Sequence, residues 1–244
     1  AGTVFMCLAA LPFVRYVQLI NGQPLSVFKD TQVHMFFIIL IFLVGFLTMV
    51  LWQDSSLTGE LGFRKALFNV VSIVTGTGYV SADYGTWGSA AIVVFFYAGL
   101  VGGCAGSTSC SVKVFRYQLL FSAIRMQLRK INSPNGVFNL RYQGRLVGVD
   151  IVNSVISFFV IFFVSLGVSA MALVFTGLDT LTALSGAAAA LGNIGPGLGE
   201  IIGPTGNYSS ISGAAKWILA ITMLLGRLEL LAVYALFTIR FWRN

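Results

Sequence analysis

Two short glycine-rich turns sit inside apolar sequence, where a backbone carbonyl has little to bond with. The first is Thr75-Gly76-Thr77-Gly78-Tyr79, which follows a helical run over residues 61–73. That run is too short to cross ~30 Å of hydrocarbon. The second is Gly192-Asn193-Ile194-Gly195-Pro196, which follows a small-residue run over residues 179–191. Unpaired carbonyls at membrane depth are costly unless something replaces water around them. A partly dehydrated cation does so in filters built from TVGYG-type loops. The chemistry these residues suit is therefore coordination of a cation by backbone oxygen, and a potassium-type pathway is the reading. A plain helix cap and turn is the competing reading for one such loop. Two loops, each between a half-helix and a full span, favour the filter.

A third break lies between them. Gly102, Gly103, Cys104, Ala105, Gly106, Ser107, Thr108 and Ser109 interrupt an apolar segment that starts at Ser89 and resumes over residues 112–131. A hinge or a close helix contact would also use such residues. Arg227 is the other unusual residue. It lies about ten residues inside an apolar run that begins at Lys216, ~15 Å deep at ~1.5 Å per residue. A guanidinium near the midplane marks function by default. Glu229, two residues on, falls on a different helix face and is a poor partner.

The elements that must position these residues read as a repeat: membrane helix, half-helix, glycine turn, membrane helix. The helices fall over residues 35–52, 61–73 and 89–100, and again over 147–175, 179–191 and 216–241. Matching Gly78 to Gly195 sets the offset at 117 residues. Each half-helix would point its C-terminal end, with its negative partial charge, toward the membrane centre. Residues 1–13 read as the last turns of a preceding helix and residues 15–30 as a polar connection. The chain opens on Ala within an apolar run, which leads us to expect a piece of a longer chain.

Composition fits the setting. Hydrophobic residues make up 57% and charged residues 9%, with 27 glycines and a net charge of +7. Lys113, Arg116, Arg125, Arg129, Lys130, Arg141 and Arg145 are seven basic residues with no acidic residue among them. The positive-inside rule puts residues 113–145 in the cytoplasm. Arg240 and Arg243 at the C-terminus agree, and Asp54, Glu60, Asp83, Asp179 and Glu200 fall on the far side. A basic run beside a span is topological rather than a nucleic-acid patch. Three cysteines, Cys7, Cys104 and Cys110, offer no disulfide framework or metal spacing, and Cys104 and Cys110 read as small packing residues. One His and scattered carboxylates assemble no nucleophile, acid–base pair or metal cluster, which argues against an enzyme.

The stretches VTGTGYVSADYG, GGCAGSTSCSVKV, LGNIGPGLGE and MLLGRLEL, in this order, resemble the C-terminal half of TrkH-type subunits in the Trk/Ktr/HKT superfamily of potassium transporters. The resemblance covers the whole chain. It implies an all-α polytopic membrane protein, built of repeated helix–half-helix–filter loop–helix units around a pseudo-fourfold, potassium-channel-like pore. Residues 1–20 would end a preceding repeat's inner helix, 21–146 would form the third repeat and 147–244 the fourth. One glycine per repeat marks the family's filter, here Gly78 and Gly195, and potassium would meet the backbone at Thr77, Gly78, Asn193 and Ile194. The intramembrane loop that gates the family corresponds to residues 102–111, with Lys113 at its end. The arginine facing the pore below the filter is Arg227; its five donors in a fixed fork suit the freed carbonyls of that loop. Family members take potassium as substrate and need no cofactor. They form homodimers in the bacterial inner membrane and work with a cytosolic nucleotide-binding regulatory subunit (TrkA-like); the other two repeats complete the pore. Sodium passing as readily as potassium is the alternative. The family loop often runs through further glycines, whereas this chain has Ser109-Cys110-Ser111, so loop flexibility can differ.

Overall fold

The structure is a computed structural model. It describes the chain except residues 24–25, 54–58, 134–135, 137, 139, 229–233, 235–241 and 243–244. Asp54, Glu229, Arg240 and Arg243 lie outside the described residues.

The described elements are helical apart from one hairpin. In order they are α1 (Gly2–Ala9), α2 (Phe13–Ile20), α3 (Thr31–Gln53), α4 (Glu60–Thr75), a 3-10 turn at Tyr84–Thr86, α5 (Ser89–Leu100), α6 (Val114–Asn132), β1 (Arg141–Tyr142), β2 (Arg145–Leu146), α7 (Val149–Phe175), α8 (Thr180–Leu191) and α9 (Gly213–Arg227). Among the described residues, α3 and α7 are long and apolar enough to cross a membrane, and α5 and α8 are shorter apolar helices. The outer faces of α3 and α7 expose Ile38, Ile41, Phe42, Val160, Val164 and Val168. Side chains of this kind suit hydrocarbon rather than water.

The two units are built alike. Helix α4 packs between α3 and α5, and α8 packs between α7 and α9, while α5 also touches α8 and joins the units. Small residues let α8 sit deep, since Ala183, Gly186, Ala187 and Ala190 are buried and backbones without large side chains approach closely. Asp179 caps α8 by accepting from the Thr182 N–H at 3.0 Å. Aromatic packing joins the turn at Tyr84–Thr86 to α5, where Tyr84 stacks on Phe95 with centroids 4.0 Å apart.

Several boundaries differ from the sequence reading. Helix α3 starts four residues earlier than expected, and α4 runs to Thr75 rather than Ile73. Residues 15–30 are not simply a connection: Phe13–Ile20 is a helix at 96° to α1. It exposes Phe13, Val14, Val17 and Ile20, while Arg15 turns to pair with Asp30 at 2.8 Å. The return helix was expected over residues 216–241. It begins at Gly213 and α9 ends at Arg227, with Tyr234 again helical, so Arg227 sits in the last turn of α9.

Candidate functional site

The ends of α4 and α8 converge, and the loops that leave them share a backbone plan. In the first, Gly76 N–H donates to Ile73 O at 3.0 Å and Thr77 N–H to Ser72 O at 2.9 Å. In the second, Asn193 N–H donates to Ala190 O at 3.0 Å and Ile194 N–H to Ala189 O at 2.9 Å. All four bonds map onto each other at the offset of 117 residues. Gly76 and Asn193 hold equivalent left-handed positions, at φ 74 and φ 51, and Gly78 (φ 78) matches Gly195 (φ 111). Asparagine tolerates the left-handed region better than other non-glycine residues, which explains its place opposite Gly76.

The two loops touch. A methyl group on Gly78 would collide with the Ile194 carbonyl oxygen and press on Pro196 Cδ at 3.3 Å, whereas one on Gly195 would meet open space. Among the described residues, no hydrogen bond ends on the carbonyls of Thr77, Gly78, Asn193 or Ile194. Thr77 and Tyr79 are exposed, and the Thr75 and Thr77 hydroxyls bond each other at 2.8 Å. Oxygen atoms with spare lone pairs, at the negative ends of two half-helices, make a surface suited to a cation.

Buried polar side chains brace both loops, and the sequence reading missed them. Asn69, fully buried on α4, accepts from Ser81 N–H at 3.0 Å and donates to Ser81 Oγ at 3.1 Å. On α8, Ser185 Oγ accepts from Leu198 N–H at 2.9 Å and donates to Leu198 O at 3.1 Å. Ser81 and Leu198 each lie three residues beyond the loop glycine. Polar residues on apolar half-helices were the available signal, but α4 also buries Ser72 and Thr75 and α8 also buries Thr182, so the signal did not single out Asn69 or Ser185. The Tyr208 hydroxyl donates to the Gly195 carbonyl. Nothing in the sequence near Tyr208 pointed to that contact.

Residues 102–111 leave the helix as expected and fold back on themselves. Gly102 N–H donates to Val112 O at 2.9 Å, Val112 N–H to Leu100 O at 3.2 Å, and Val114 N–H to Gly103 O at 3.1 Å, where α6 begins. Ser109 Oγ accepts from Gly103 N–H at 2.9 Å and Ser111 Oγ donates to Gly99 O at 2.8 Å. Hydroxyls thus cover backbone groups that helix would have paired. The break between α1 and α2 supplies the rest: Cys104 N–H donates to Ala10 O at 2.9 Å, and Phe13 N–H to Gly106 O at 3.2 Å.

Arg227 reaches this loop, with a partner that differs from the expected one. Its Nη1 lies 2.6 Å from Cys110 Sγ rather than on a loop carbonyl. Several of those carbonyls, including Leu100, Gly103 and Gly106, are already engaged by other groups. Cys110 is consequently a contact of the arginine and not a mere packing residue, whereas Cys104 is buried as read. Ser107, Thr108, Ser109, Cys110, Lys113 and Arg227 line a cavity of about 180 Å³. Among the described residues no cluster of metal-ligating side chains is present.

A family model described as TrkH, cation transport protein, matches residues 24–242. The chain belongs to the TrkH family. Among TrkH relatives, a Trk system potassium uptake protein TrkI of Halomonas elongata is 44% identical over all of this chain and 49% of its own length. The Trk system potassium uptake protein TrkH of Salmonella typhimurium is 34% identical over 99% of this chain and 50% of its own. The crystal structure of the potassium transporter TrkH from Vibrio parahaemolyticus superposes with a TM-score of 0.92 at 31% identity, covering 99% of this chain and 52% of that one. The fold is therefore the TrkH fold, and the chain spans about half the length of the curated relatives it matches.

Proposed function

We propose that this chain supplies the third and fourth units of a four-unit potassium pathway, with residues 1–20 closing a preceding unit. The observation that carries the reading is the pair of loops at residues 75–79 and 192–196. They have one backbone plan, meet at Gly78 and Ile194, and among the described residues leave the carbonyls of Thr77, Gly78, Asn193 and Ile194 unbonded. Potassium is the substrate, and those four residues are the backbone contacts assigned to it. Two loops line half of a ring, and the remaining repeats of the longer protein complete it.

Below this filter, residues 102–109 with Lys113 and Arg227 form the gate. The loop follows α5 directly, and a methyl group on Gly76 would lie 3.8 Å from Ser109 Oγ. In this reading the cytosolic side holds residues 113–145, and a TrkA-like nucleotide-binding subunit and a second copy of the protein are its partners in the bacterial inner membrane. The hydrophobic composition and the named relatives support that setting.

The test is competing uptake. The full-length protein, reconstituted in liposomes, is expected to take up potassium in preference to equimolar sodium. Equal uptake of both would replace this reading with a less selective sodium and potassium pathway. No uptake of either, with the protein inserted and folded, would contradict it.

A further inference from the structure

One pin on the loop of residues 102–111 leads away from the pore. The Ala105 N–H donates to Gln32 Oε1 at 2.9 Å. Gln32 lies in the first turn of α3, and its own N–H donates to Asp30 Oδ1 at 2.9 Å. Asp30 is 3% exposed, and a carboxylate so buried needs compensation. Arg15 Nε supplies it on Oδ2 at 2.8 Å, and Gln143 Nε2 donates to Oδ1 at 3.1 Å.

Gln143 comes from far along the chain. It stands at the tip of the β1–β2 hairpin, with φ 48, and Gly144 follows at φ 80. Two left-handed residues in succession are the turn that matches hairpin twist, and Asn-Gly is its usual sequence. The extra methylene of Gln gives reach that Asn lacks. Tyr142 beside it donates to Gln118 Oε1 at 2.9 Å, and Gln118 Nε2 donates to Thr31 O at 2.9 Å. Burial, and then the nearby Asp30 carboxylate, push the Tyr142 phenol up to about 12, so the hydroxyl stays a donor at neutral pH. Two adjacent hairpin residues therefore hold Asp30 and Thr31, immediately before the residue that holds Ala105.

We propose that the hairpin of residues 141–146 positions the loop of residues 102–111 through Asp30 and Gln32. Moving the hairpin withdraws Gln143 from Asp30, shifts the start of α3 and releases the Ala105 N–H. Arg141 and Arg145 are exposed on the hairpin, and Arg129 and Lys130 are exposed in the last turn of α6. The surface that would be pulled is basic, so it fits an acidic face on a cytosolic protein partner. Asp30 and Gln32 act as positioning residues, and the inference rests on reading residues 102–111 as the gate.

The test uses the full-length protein in liposomes, with Cys110 as the sole cysteine. Gln143→Asn keeps the left-handed turn but cannot reach Asp30, and Gln32→Met keeps length but offers no acceptor. Three quantities are measured: basal potassium flux, potassium selection over sodium, and the rate of Cys110 alkylation by a permeant maleimide. Each variant is expected to raise flux and alkylation roughly threefold or more, the loss of one hydrogen bond's worth of bias. Selection should stay unchanged, and the double variant should add nothing, because either break releases the same group. Parent-like alkylation in both single variants, or independent effects that multiply in the double, would overturn the relay. Partial deletion of residues 102–111 separates the two readings. If that deletion leaves flux unchanged, the gate reading fails while alkylation still reports the relay. If it raises flux and the two relay variants alter neither readout, the relay alone fails.

Discussion

Arg227 Nη1 lies 2.6 Å from Cys110 Sγ, so the last turn of α9 is joined to the loop that interrupts the helix of the preceding repeat. The contact ties α9 of the second unit to the loop of the first. It also places a permanent positive charge beside a cavity lined by Lys113 and loop hydroxyls. In the proposed pathway, a cation passing this cavity would meet that charge at a dielectric lower than water's, where repulsion is stronger.

Arg227→Ala is expected to raise basal flux several-fold, because it removes both the contact with Cys110, a weak acceptor, and the positive charge. Arg227→Lys should fall between the two, because it keeps the charge and loses the planar fork. Cys110→Ala, which removes the acceptor but not the charge, should raise flux less than Arg227→Ala. Liposome flux with protein content matched decides it. Parent-like flux in a folded Arg227→Ala would make the arginine a structural tie.

Tyr208 breaks the symmetry of the two loops. Its hydroxyl donates to the Gly195 carbonyl, while no described hydrogen bond ends on the Gly78 carbonyl. Tyr208→Phe keeps the ring and its packing but frees that oxygen to turn. Potassium selection over sodium should weaken several-fold with little change in thermal stability. A melting shift with selection intact would assign Tyr208 to packing alone.

Asn69 and Ser185 brace the exits of the two loops. Removing Ser185 leaves the buried Leu198 N–H without its partner, at a cost of about 1–3 kcal/mol, whereas removing Asn69 frees the N–H of the exposed Ser81 and costs less. Asn69→Ala and Ser185→Ala should each lower the melting temperature in detergent and reduce selection. Ser185→Thr keeps the hydroxyl and should retain more selection than Ser185→Ala. Equal losses for both would attribute the effect to volume.

Much of this site was legible in the sequence because its features are local. A glycine needed for positive φ and a half-helix too short to span can be read from a few neighbours, as can a Gly/Ser run inside an apolar segment. The glycine turns at residues 75–79 and 192–196 and the break at residues 102–109 were found that way, and Gly78 and Gly195 hold positive φ. What was missed depends on distant contacts. Arg15 read as a loop charge, yet it serves the buried Asp30 and lies in a helix whose N-cap is Pro12, with no side-chain cap to announce it. Asn69 and Ser185 lie within the runs over residues 61–73 and 179–191, and only the return of the chain past them shows what they bond. Arg227 was assigned to loop carbonyls, but the fold of the loop had already committed several of these.

The central claim is that Gly78 and Gly195 belong to one cation filter, and the environments of the two glycines differ enough to test it. Both have backbone angles that disfavour a side chain, but a methyl on Gly78 would also strike the Ile194 carbonyl, whereas Gly195 faces open space. The direct measurement is potassium against sodium in competing flux through the full-length protein carrying Gly78→Ala or Gly195→Ala. Both variants are predicted to lose selection, with Gly78→Ala losing more because it displaces two loops at once. Selection equal to the parent in both, with the proteins folded and conducting, would contradict the filter and with it the proposed pathway.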